Sequence, residues 1–382
     1  MKMTILCILM SLILNSSKAI AKNKSLIKTK SALKIEIENN KEKDIVLELR
    51  NFVGASKSRF VGTANHQKSL EYLKQRITEL DLGIGSGLSK LSVEEFTPDY
   101  DYAKDLYQKD FDGQIKGKFD VNDPTYKKWY GFTENTKSFI DTLKKVKGTN
   151  LIWEKKGIIN PEQFIIIGAH YDTIAHDKST LKITPHVDMP GADDNGSGVA
   201  ILLRLIATLS SLDLAKSVKV VFFDFEEVGF LGARSFVNSH LAELQSENNK
   251  GFLNLEMLGH DSRPGGKIKK SGDMKIYTRA TGDKGHLNDL ALINPLKSCA
   301  DSVVTQVNFS IEANSFNSSD HINFWEKDIR AVTFTQNWEE DFNEARYHTS
   351  NDFVETLNLK TYYQSARYIM AILMCWNYDL AH

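Results

Sequence analysis

Three apolar runs in the middle of the chain end in side chains able to hold a metal ion. Phe164–Ala169 leads directly into His170-Tyr171-Asp172, Val220–Phe223 is followed by Glu226-Glu227, and Phe252–Leu255 by Glu256. Pro190-Gly191-Ala192-Asp193-Asp194-Asn195-Gly196-Ser197-Gly198 is a short acidic loop in front of the apolar segment that begins at Val199. Far downstream, Tyr347-His348-Thr349-Ser350-Asn351-Asp352 sets a histidine in polar surroundings, where on its own it would be an ordinary loop residue. Burying carboxylates together without counter-charge costs several kcal/mol each. No cluster of Lys or Arg stands near them, Arg234 being the closest after Glu227. A bound cation is the simplest way to neutralise them. Helix capping accounts for one acid of the Asp193-Asp194 pair, hardly for both.

The elements that must position these groups are short. Leu151–Glu154, Phe164–Ala169, Val218–Phe225, Phe252–Leu255 and Ile329–Thr335 read as strands, and Val199–Leu212 as a helix with Leu202, Leu203, Ile206 and Leu209 on one face. Alternation of this kind predicts an α/β fold, a three-layer α/β/α sandwich with a mixed, mostly parallel central sheet. Such sheets bind ligands at the carboxyl ends of their strands, where the imidazole and the acids fall. Helical spacing also marks Ile45–Phe52, Gln67–Leu82 and Leu359–Tyr378, and Leu91–Phe96 alternates like a strand. Residues 44–382 therefore read as one domain, interrupted at about 99–148 by a stretch rich in Tyr, Phe, Lys and Asp. A structureless loop of that length is uncommon, so the insertion should have substructure of its own, as a surface elaboration or as a wall of the pocket. Residues 22–43, rich in Lys, Asn and Glu, read as a mobile lead-in or pro-segment.

With 48 Lys+Arg against 49 Asp+Glu and a hydrophobic fraction of 41% in 382 residues, the chain has material for a large core. It lacks the basic excess of a nucleic-acid binder. Three cysteines exclude a disulfide framework and a four-thiolate metal site; an oxidising compartment would permit Cys299 and Cys375 to pair without requiring it. Lys2, the apolar run Thr4–Leu14 and Ala19-Ile20-Ala21 read as a signal peptide over residues 1–21. As a helix that run rises about 16 Å, roughly half of a bilayer core. Its removal leaves 46 basic and 49 acidic residues, a formal charge of −3. The expectation is a secreted or periplasmic protein with no stable membrane association after cleavage; oligomeric state is not readable. No Gly-x-Ser-x-Gly elbow or P-loop offers a competing chemistry.

His170-Tyr171-Asp172, Gly191–Gly198, Glu226-Glu227-Val228-Gly229, Asn254-Leu255-Glu256-Met257 and Tyr347-His348-Thr349 resemble, in order, the site segments of the bacterial leucyl-aminopeptidase-like zinc exopeptidases, metallopeptidase family 28. The resemblance covers about residues 150–378 and extends weakly to Arg59-Phe60-Val61-Gly62-Thr63. It implies two Zn²⁺ ions per chain, one held by His170 and Glu256 and the other by Glu227 and His348, with one bridging carboxylate. The loop offers Asp193 and Asp194; counting back from Ser197-Gly198, the family's bridging position falls on Asp194, whose bond to the next residue is often cis in relatives. Asp172 is similar to the partner that orients the ligand His170, Glu226 to the general base, and Tyr347 to a tyrosine that stabilises the oxyanion. The implied activity is a dizinc exopeptidase, an aminopeptidase acting on peptides or small proteins. Glu256 departs from the Asp common in the characterised aminopeptidases. Glu at the equivalent ligand accompanies carboxypeptidase activity in related peptidases, so the end attacked stays open. Single-zinc glutaminyl cyclases share the scaffold but usually carry Trp where Tyr347 stands, and lack the acidic loop.

Overall fold

A computed structural model describes residues 26–81, 87–262 and 273–381; the expected signal peptide lies outside the described residues. Branched and aromatic runs form the centre of the sheet, as their fit to a pleated, packed surface requires. These strands are β1 (Ser89–Phe96), β2 (Gly148–Lys155), β3 (Asn160–His170), β4 (Lys216–Phe223) and β5 (Asn249–Leu255). β6 (Asp273–Thr278), β7 (Asn308–Ala313) and β8 (Ala331–Thr335) complete an eight-stranded sheet in the order β1-β2-β4-β3-β5-β8-β6-β7. β4, β3, β5 and β8 are mutually parallel, so their carboxyl ends open on one edge. Antiparallel pairs flank this block, with β2 against β4 and β6 against β8. The sheet is thus the expected mixed one. β6 and β7 escape a sequence reading because polar residues such as Asp273, Lys275, Asn308 and Glu312 interrupt their apolar positions.

Side-chain alternation divides the layers. Ile165, Ile167 and Ala169 of β3 and Val218, Val220 and Phe222 of β4 face the larger core. Phe164 and Ile166, with Val221 and Phe223, face the smaller one. The larger core takes up α2 (Glu42–Ala55), α3 (Ala64–Leu80), α6 (Gly198–Ser210), α9 (His286–Val303) and α11 (Leu359–Asn377). On the other face Phe236 and Val237 of α7 (Leu231–Ser239), Leu244 of α8 (Leu241–Leu244) and Phe324 of α10 (Ile322–Trp325) pack on the sheet. From Thr361 to Asn377 nearly every side chain of α11 is buried, so this helix is covered on all sides. Cys375 on this helix forms a disulfide with Cys299 on α9, both fully buried.

Two stretches differ from the sequence reading or sharpen it. The lead-in does not stay mobile over its described part: Lys30–Glu38 forms α1, capped by the Thr29 side chain at the Ala32 amide, with Leu33 and Ile37 at 0% exposure in the main core. Its polar composition hides two apolar residues one helical turn apart, which is enough to dock it. The insertion is a helical pair, α4 (Tyr100–Gln114) and α5 (Pro124–Thr142), with Asp99 and Asp123 as N-caps. Tyr100, Ala103, Ile140 and Leu143 pack against Phe225, Val228 and Leu231, the residues flanking Glu226-Glu227. It therefore forms a wall of the site.

Candidate metal centre

Each candidate ligand leaves the same sheet edge. β3 ends at His170 and β5 at Leu255, immediately before Glu256, while the chain turns out of β4 at Phe225, in the left-handed region (φ 57°), to present Glu226 and Glu227. The acidic loop enters α6 through a wide turn over Ala192–Ser197 with a cis bond between Asp194 and Asn195. Gly191 adopts φ 55°, and a Cβ there would fall 2.7 Å from Arg59 Nη2 and 2.5 Å from the Asp194 carbonyl oxygen. Only glycine fits that position.

Asp194 stands at the centre. Its Oδ1 lies 3.3 Å from His170 Nε2 and its Oδ2 3.2 Å from His348 Nε2. Glu256 Oε1 approaches the same His170 nitrogen at 3.5 Å, and Glu227 Oε2 approaches His348 Nε2 at 3.0 Å. The five residues proposed as ligands thus converge, and all but His348 are below 9% exposure. Glu226 Oε2 stands 3.8 Å from His170 Nε2 at the cleft. The other acid of the loop points away: Asp193 accepts from the Gly259 amide at 2.7 Å and from Asn343 Nδ2 at 3.0 Å. Only one of the two adjacent acids therefore faces the cluster.

Supporting groups hold these side chains. Asp172 lies 3.4 Å from His170 Nδ1, while its two oxygens accept the Glu226 and Glu227 amides at 3.1 and 3.2 Å. It fixes the pair of glutamates as much as the imidazole. Glu256 Oε2 accepts Ser319 Oγ at 2.8 Å, which leaves Oε1 turned toward His170. Glu227 Oε1 accepts the Ile174 amide at 3.1 Å. The Tyr347 ring stacks on His348 with centroids 3.7 Å apart and lines the cleft. Sequence reasoning missed His176, whose Nδ1 stands 3.3 Å from His348 Nδ1, and the buried Ser319 and Asp320. The polar run Asn317-Ser318-Ser319-Asp320-His321, unusual before a buried helix, carries the sequence signal for the latter two.

The electrostatics are those of a cation site. Burial pushes Glu226 well above the usual carboxylate range, with Glu256 and Glu227 adding to it against His170. Burial and Asp194 push Glu227 up to about 7, and burial also raises Glu256. Burial would lower His170 and His348, yet the surrounding acids raise both, His348 to about 10. Asp194 is the exception: burial opposes its charge, but the two imidazoles hold it below the ordinary range. A cluster that draws in protons so strongly would accept divalent cations in their place, because ligands must shed protons to bind metal. Nitrogen and oxygen donors without thiolate suit Zn²⁺. His170, Asp194 and Glu227, and likewise His170, Glu226 and Glu256, bring ligand atoms within 4.8 Å of one another, so the residues present fit the metal.

The cleft beside this cluster has a volume of about 560 Å³ and is walled by Tyr107, Trp129 and Phe132 of the insertion on one side and Phe342 and Tyr347 on the other. Sequence comparison finds 30% identity over 220 residues with protein YfbL of Escherichia coli, covering 55% of this chain and 66% of that one. Aminopeptidase YwaD of Bacillus subtilis is 26% identical over 243 residues, covering 63% of this chain and 45% of that one. The alignments thus span from under half to about two thirds of these curated relatives. In fold the chain is similar to the LapA aminopeptidase of Legionella pneumophila, with TM-score 0.62 and 17% identity over 94% of this chain and 76% of that one. It is also similar to a glutaminyl cyclase from an Acidobacteriales bacterium, with TM-score 0.58 and 15% identity over 88% and 95% of the two chains. Peptidase family M28 matches residues 150–373, a segment that includes every residue of the converging cluster, and the chain belongs to that family.

Proposed function

We propose that this protein is an exported dizinc metallo-exopeptidase that releases N-terminal residues from peptides or small proteins. The observation that carries the reading is the position of Asp194, one carboxylate oxygen toward His170 and the other toward His348. In this reading His170 and Glu256 would hold one zinc and Glu227 and His348 the other, with Asp194 as the carboxylate shared between them. The zinc ions supply a polarised scissile carbonyl and an acidified water. Glu226, on the cleft and unshared with His348, accepts the water proton at its carboxylate and returns it to the departing amine. Asp172 keeps Glu226 and Glu227 aimed apart through their amides. Tyr347, at the cleft wall, donates toward the developing oxyanion.

Glu256 is the departure from the aminopeptidase pattern; Ser319 holds one of its oxygens, and the other faces His170. Export is supported by residues 1–21 and by the buried Cys299–Cys375 bridge, a bond suited to an oxidising compartment. The test is chelation followed by zinc restoration, with elemental analysis beside a panel of amino-acyl chromogenic amides and N-blocked peptides. Loss and recovery of amide hydrolysis at two zincs per chain is expected. One zinc per chain with cyclisation of an N-terminal Gln peptide, or activity on N-blocked peptides alone, would overturn it.

A further inference from the structure

The insertion contains a second cavity that the chemistry above leaves unused. It measures about 370 Å³ and lies between α4 and α5, walled by Tyr107, Phe111, Ile115, Trp129 and Phe132. Asp110 is the one charged side chain on its walls. The rings pack edge to face, Phe132 against both Tyr107 (5.9 Å) and Trp129 (5.6 Å), which holds the box open without a central side chain.

Two contacts join this cavity to the metal centre. Tyr107 donates its hydroxyl to the Glu227 carbonyl at 3.1 Å, and the Phe132 ring stands 5.6 Å from His176, whose ring is 4.9 Å from His348. Tyr107, Asp110, Trp129 and Phe132 line the main cleft as well. These four shared walls make the cavity adjoin the cleft in which a bound peptide would lie.

Its chemistry is specific. Of the other acids on α4, Asp101 pairs with Lys104 and Asp112 with Lys116 just beyond its end, each at 3.2 Å. Asp110 is exposed at the cavity wall and has no such partner among the described residues. Aromatic walls ending in an unpaired carboxylate match a long apolar stem with a positive tip, through stem burial, cation–π attraction and charge pairing. Lys128 and Lys178 line the cleft but not this cavity, and Lys178 is tied to the Glu344 carbonyl at 2.6 Å.

We infer that the α4–α5 cavity is a subsite for a lysine or arginine side chain flanking the scissile bond. This rests on the exopeptidase reading and adds its substrate class. The zinc-loaded protein is assayed on two series, amino-acyl amides and dipeptides, that place Lys, Arg, norleucine or Leu on either side of the scissile bond. Binding of lysinamide and norleucinamide is measured in parallel by calorimetry. Lys and Arg should exceed norleucine in kcat/KM in one series, and Asp110→Asn should cut that preference tenfold or more. Trp129→Ala should weaken Lys and norleucine together by removing stem contacts. Equal turnover of Lys and norleucine in both series, or a preference untouched by Asp110→Asn, overturns the subsite. If no substrate is hydrolysed, the exopeptidase reading fails on its own. Calorimetry then decides the subsite: tighter binding of lysinamide than norleucinamide, lost in Asp110→Asn, sustains it, and equal binding overturns it.

Discussion

Glu226 and Glu227 are neighbours in the chain yet face different partners. Glu227 reaches His348 at 3.0 Å, whereas Glu226 stands 3.8 Å from His170 at the cleft. Replacing Glu226 by Gln keeps the shape and removes the proton acceptor, so two zincs should remain bound while kcat falls about 10²–10⁴-fold. Elemental analysis beside steady-state kinetics checks both halves, and full activity would remove Glu226 as the base. His348→Ala withdraws the imidazole that faces Glu227. Titration with a competing chelator should show one zinc far more weakly held than the other; two tightly bound zincs per chain would strike His348 from the ligand set.

At the scale of the element, the acidic loop depends on Arg59. Its guanidinium is fully buried and donates to the carbonyls of Tyr171, Pro190 and Gly191 at 2.7, 2.6 and 2.8 Å, binding the end of β3 to the loop that carries Asp194. Its charge and its geometry act on metal in opposite senses. A cation beside the cluster opposes zinc, so charge alone predicts tighter binding in Arg59→Met and no change in Arg59→Lys. Arg59→Lys keeps the charge and loses the planar fork. Zinc affinity should fall about tenfold or more in Arg59→Lys if the fork places Asp194, as a loss of about 1.4 kcal/mol implies. Wild-type zinc affinity in that variant would assign Arg59 to charge balance alone.

Across the whole molecule, the Cys299–Cys375 bridge joins α9 to α11 over a sequence separation of 76 residues, on the face of the sheet that carries α6. Closing a loop of that length in the unfolded chain stabilises the fold by about 4.5 kcal/mol in the chain-entropy model. The double variant Cys299→Ala, Cys375→Ala should unfold at a markedly lower denaturant midpoint, with zinc stoichiometry unchanged because neither residue approaches the cluster. An unaltered midpoint would mean that packing of α9 on α11 suffices.

The candidate site of this protein was legible in its sequence because strands deliver their last residues to a common edge. His170, Glu226-Glu227 and Glu256 each follow an apolar run, and a parallel block turns that linear pattern into a cluster. Residue type and order therefore pointed to the acids, to His170 and to the layered fold, whereas His348 entered only through the family resemblance. The residues alone left Asp193 and Asp194 open and the resemblance pointed to Asp194; the tertiary structure supplies the physical reason, since Gly259 and Asn343 claim Asp193. The docking of α1, the His176 contact with His348 and the aromatic box of α4 and α5 likewise depend on partners far away in the chain. Local periodicity records which face of an element is apolar. It does not record what that face will meet, and burial, pairing and pocket shape are properties of the meeting.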